Sequence, residues 1–117
     1  MPYRLQRKYP RIVKKVEVVR YRKFGKAREL VARIYFKDGS VLHVKDYLFL
    51  SGERKYAFHW QDAHGHLLVR WDNSPHYPDL KSFPHHRHVG DRIIEESIDM
   101  SLDAVLSFIE AKMPGGG

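Results

Sequence analysis

Five side chains within one stretch of the chain could do chemistry together: His59, Arg70, Asp72, His86 and His88. Histidine, with an unperturbed pKa of ~6.5, serves as acid or base, arginine grips phosphate oxygens in pairs, and a carboxylate orients either of them. RNA cleavage without a metal needs those parts: a base for the 2′-hydroxyl, an acid for the leaving oxygen and a cation on the phosphorane charge. The expected catalytic set is therefore His59, Arg70, Asp72, His86 and His88, with Arg87 on phosphate, Asn73 holding the loop turn or a base edge, and no cofactor. One alternative is a zinc or other divalent-metal site made from His76, His86, His88 and Asp72, because His86 and His88 share a side in an extended chain. A second alternative is a nucleic-acid-binding module without catalysis.

Seven of the eight histidines lie between His59 and His88, so the chemistry concentrates there. Pro75, Pro78 and Pro84 restrict the residues before them and lower the entropy of the unfolded chain. An ordered Pro/His-rich loop over residues 74–88 is expected, pinned to the fold by Tyr77, Leu80 and Phe83. His43, His64 and His66 are assigned no part in the site.

The elements that must hold this loop are mostly strands. "RIVKKVEVVRYRKF", "ELVARIYF" and "VLHVKDYLFL" carry β-branched and aromatic residues around turn signals. A three-residue loop Lys37–Gly39, with Gly39 left-handed, sets Ile34 opposite Leu42 and Ala32 opposite Val44. In "KYAFHWQDAHGHLLVRWDN" a four-residue loop Asp62–Gly65, with Gly65 at positive φ, pairs Gln61 with His66, Trp60 with Leu67, Phe58 with Val69 and Tyr56 with Trp71. One face of that hairpin is then apolar, and the other carries His59, Gln61, Leu68, Arg70 and Asp72. Leu102, Val105, Leu106 and Ile109 follow helical spacing behind Ser101, an N-cap residue type. The reading is an α+β fold: an antiparallel β-meander of about five strands whose apolar face is covered by a C-terminal α-helix. It is one domain over residues 1–113, with a basic lead at 1–10 and a flexible glycine tail at 114–117.

Charge is uneven: residues 1–28 hold eleven Lys/Arg against Glu17 alone. Such a concentration attracts polyanions, and Arg7, Lys8, Lys14 and Lys15 are the expected nucleic-acid contacts, with RNA or DNA the expected ligand. The chain has no cysteine, which excludes disulfides and thiolate metal sites. It has no apolar run of membrane-spanning length and no secretory leader, so a cytoplasmic protein without a membrane partner is expected. Open sheet edges favour a homodimer.

The run "YAFHWQDAHGHLLVRWDNSPHYPDLKSFPHHRHVGD" resembles the TumE family of prokaryotic toxins. The resemblance rests on a Tyr-x-Phe-His-x-Gln-Asp strand from Tyr56 to Asp62, an Arg-Trp-Asp-Asn-x-Pro-His segment from Arg70 to His76 and a Phe-Pro-His-His-Arg-His segment from Phe83 to His88. It implies the toxin half of a toxin and antitoxin pair, cytoplasmic and controlled by a cognate DNA-binding antitoxin. Residues 1–28 differ from the family pattern, in which many members open with a helix where this chain is read as a basic lead into a strand.

Overall fold

Alternation of apolar and polar residues drives the architecture, because a strand with one apolar face must bury that face against another layer. The computed structural model describes residues 2–114. The element order is α1 (Pro2–Lys8), β1 (Val13–Phe24), β2 (Ala27–Phe36), β3 (Val41–Leu48), β4 (Arg54–Gln61), β5 (Leu67–Asp72), β6 (His86–Val89), β7 (Ile93–Glu96) and α2 (Leu102–Lys112). The strands form one antiparallel sheet in the order β1-β2-β3-β4-β5-β6-β7, a continuous meander.

Three sequence expectations need correction. The meander has seven strands rather than about five, because His86–Val89 and Ile93–Glu96 pair onto its end. The stretch expected as loop to His88 therefore stops at His85. The opening residues form α1 rather than a basic lead running into a strand: Leu5 packs against the core and Tyr9, just after the helix, is buried. The glycines of the expected flexible tail lie outside the described residues.

Ile34, Leu42, Phe58 and Trp71 project from one face of the sheet and are fully buried. α2 seals them with Val105, Leu106 and Ile109, and the Phe108 ring meets Trp71 edge-on at 5.2 Å. Ser101 caps α2 by accepting a hydrogen bond from the Ala104 N–H at 3.1 Å, which satisfies a donor that the first turn leaves open. Tyr9 ties α1 to the same layer, its hydroxyl near Ser107 and Asp103 of α2.

The β2–β3 hairpin has the expected register, Ile34 opposite Leu42 and Ala32 opposite Val44, with Gly39 at φ +89°. The β4–β5 hairpin differs. Trp60 faces Val69 and Phe58 faces Trp71, a shift of two residues from the expected pairing, with an irregularity between Trp60 and Gln61. An extra residue in one strand changes register without ending the ladder. Because the shift is two, the faces keep their sides.

Candidate functional site

Strand pairing sets the site. His59, Arg70 and His88 are direct neighbours across β4, β5 and β6, and Asp72 sits opposite His86 one step along. All five project from the face opposite α2. The structure thus brings together His59, Arg70, Asp72, His86 and His88, the residues expected from the sequence.

Asp72 is the hub. Its carboxylate is nearly inaccessible, and Oδ1 lies 2.9 Å from His86 Nε2 and accepts the Ser74 N–H at 3.0 Å. That second bond is an Asx turn, which ends β5 and turns the chain into the proline-rich segment. Oδ2 accepts from Arg70 Nε at 3.1 Å and faces His88 Nε2 at 3.7 Å. Among the described residues, Asp72, His86 and His88 form a group whose potential ligand atoms all lie within 4.8 Å of one another.

His86 is 1% exposed, and its second nitrogen is fixed as well. Nδ1 donates to the Pro84 carbonyl at 3.0 Å, a group that can only accept. Nε2 therefore faces Asp72 across a contact that needs either a hydrogen or a cation between the two atoms. A ring whose outer N–H is held by a backbone carbonyl is the usual support of a metal-ligating histidine. Two imidazoles and one carboxylate suit zinc, manganese or iron, and leave positions for water or substrate. The residues fit a divalent cation.

Arg70 bridges to the third histidine of the site, its Nη1 lying 3.3 Å from His59 Nδ1. Guanidinium only donates, so His59 accepts at Nδ1 and carries its hydrogen on Nε2. Burial pushes the His59 pKa down, and the Arg70 and His43 neighbours push it further. The His43 ring is edge-on to it at 6.0 Å. His88 is also lowered by burial, against the opposing pull of Asp72.

Other expected site residues lie elsewhere. Arg87 alternates with His86 and His88, so it emerges on the α2 side, over the Phe108 ring and paired with Glu95. Asn73 accepts the Tyr56 N–H at 3.0 Å and donates to the Arg54 carbonyl, clamping β4. His76 is exposed, edge-on to Tyr77 and outside the ligand group. Lys8 pairs with Asp103 of α2, and Arg7 shares its helix. Lys15 sits over the Tyr35 ring on the site's face of β1, next to exposed Lys14.

Two further groups contribute to the site beyond those expected. The Pro84 carbonyl carries no residue-type signal. Tyr77, expected only as a loop anchor, stands edge-on to His86 at 4.8 Å and to His88 at 5.9 Å and walls the cluster. Leu80 is half-buried, whereas Phe83, the other expected anchor, is 43% exposed.

A meander backed by helices, with a buried His/His/Asp cluster beside an arginine, is an arrangement consistent with a nuclease-type active site. The profile of the family described as toxin TumE matches residues 3–113, and the chain belongs to that family. No curated protein and no solved structure matches it. No helix among the described residues is long and apolar enough to cross a membrane.

Proposed function

We propose that the protein is the toxin component of a toxin and antitoxin pair and acts as a metal-dependent phosphodiesterase on RNA, with Asp72, His86 and His88 as metal ligands. The observation that carries this reading is the convergence of those three side chains, with His86 held from behind by the Pro84 carbonyl. A divalent cation there would polarise a phosphoryl oxygen and generate hydroxide at neutral pH.

The chain's own residues do the rest. Arg70 spends Nε on Asp72 and Nη1 on His59, leaving its remaining N–H groups for a non-bridging phosphate oxygen. His59 presents Nε2–H and can donate to the leaving oxygen. Tyr77 limits water around the ligands. A cognate antitoxin of the DNA-binding type is the proposed partner and the cytoplasm the proposed compartment. The free β1 edge is the proposed contact for a homodimer.

The Arg70–His59 contact favours one other reading, metal-free cleavage with His59 and His88 as acid and base. RNA cleavage in EDTA, then with zinc or manganese restored, separates the two. The metal reading expects activity lost and recovered in wild type and absent throughout in Asp72→Asn. Undiminished cleavage in EDTA overturns it.

A further inference from the structure

The sheet has two unequal faces. α1 and α2 cover one, whereas on the other the chain after Asp72 reaches over only the β5–β6 end, where Tyr77 stands on His86 and His88. From β4 to β1 that face is open, and its residues follow from the register. The row through Asp72 runs Ala57, Lys45, Val31 and Arg20, so small and aliphatic side chains separate the carboxylate from the cations. The next row toward the β3–β4 turn runs Lys55, Tyr47, Glu29 and Arg22.

Two kinds of group accumulate there. Arg33 and Arg20 are paired with Glu17 and Glu29, but among the described residues Arg22, Lys45 and Lys55 are paired with no carboxylate. Exposed aromatics interleave with them: Phe24 is 76% exposed and Phe49 47%, although burial is the default for such rings. With Tyr47 they line a groove of about 470 Å³ whose walls include Arg22 and Lys55. Unpaired cations among exposed rings match one ligand chemistry, a strand that offers a phosphate and an unstacked base at each step. A duplex hides its base faces, and an acidic peptide has no use for the rings.

We propose that the open face of β1 to β4 is a track for single-stranded nucleic acid, with bases stacked on Phe24, Tyr47 and Phe49 and phosphates on Arg22, Lys45 and Lys55. The four steps from β1 to β5, each about 4.8 Å, lead the strand to Asp72. The span holds a few nucleotides, the short end of known ~4–16 nucleotide footprints. The track deepens the phosphodiesterase reading and rests on it only for where the strand is delivered.

The test is fluorescence anisotropy with labelled single strands of about 12 nucleotides, in EDTA so that binding is read without cleavage. Phe49→Ala and Tyr47→Ala are each expected to weaken binding about 5- to 100-fold. The Lys45→Ala/Lys55→Ala pair is expected to lower the slope of log affinity against log salt by about 1.4. RNA and DNA strands are both titrated; binding of either supports the track, and the stronger names the sugar. Phe24→Ala guards against misfolding, since that ring lies mostly in solvent. Variants that bind like wild type with an unchanged salt slope, or a duplex that binds as tightly as the single strand, would overturn the track. With no metal in the cuvette, failure of the metal reading leaves this result untouched.

Discussion

His86 Nε2 lies 2.9 Å from Asp72 Oδ1 while His86 Nδ1 is committed to the Pro84 carbonyl. The two residues pair across β5 and β6, so secondary structure alone fixes their separation. A loop of this composition could place His86 anywhere. A strand cannot.

Asp72 should be a structural as well as a functional residue. Its carboxylate is buried and receives bonds from Arg70 and Ser74 beside the His86 contact, so Asp72→Ala leaves several groups without their partner. Leaving a buried hydrogen-bonding group without its partner costs about 1–3 kcal/mol, more where the group is charged. Urea unfolding is expected to show a loss of that order, and a loss under ~0.5 kcal/mol, the range of ordinary surface changes, would remove Asp72 from the centre of the account.

His88 is half-buried and meets Asp72 only at 3.7 Å, so His88→Ala should fold. Its expected signature is unchanged circular dichroism with metal affinity lowered at least tenfold, measured by competition with a chromophoric chelator. An unchanged affinity would mean that His88 is not a ligand.

Alkaline stability should report Tyr56. Burial raises its hydroxyl from the ordinary 10.0 to about 12, and the neutral group lies 2.8 Å from His85 Nδ1. A raised folded pKa means that this stabilisation is complete below pH ~10 and is lost as pH climbs toward ~12, a change of roughly 2–3 kcal/mol. Chemical denaturation between those limits should fall steeply for wild type and less so for Tyr56→Phe. Parallel curves would show that the hydroxyl is not the source.

The opposite limb belongs to the His43–His59 pair. Burial lowers both, with Arg33 and Lys45 acting on His43 and Arg70 on His59, so the folded protein holds them neutral. Stability is then complete above ~6.5 and declines as pH drops through their folded values, because the unfolded chain takes up those protons first. The unfolding midpoint should fall from pH 7.5 to pH 5.5 less in His43→Gln than in wild type. An equal fall in both proteins counts against the pair.

How much was legible follows from where periodicity is strong. The apolar and polar faces of β4 and β5 were readable because alternation survives a two-residue slip, so His59, Arg70 and Asp72 share a side despite the misplaced pairing. β6 and β7 have four residues each and include "HRHV" and "IIEE", too short and too polar to stand out beside three prolines. Extended alternation already set His86 and His88 on one side, but only the pairing of this segment with β5 shows that Arg87 between them faces α2. α1 has seven residues, below the length at which helical spacing shows, and its anchor Tyr9 follows the helix. Side-chain types named the cluster, but only the strand register could show that Asp72 stands between the two imidazoles.

Asp72, His86 and His88 are proposed to bind one divalent cation. Inductively coupled plasma mass spectrometry tests this directly on protein purified without a nickel column, incubated with zinc or manganese and dialysed. The expected result is close to one metal ion per chain in wild type and next to none in His88→Ala. Wild-type protein that retains no more metal than the variant would contradict it.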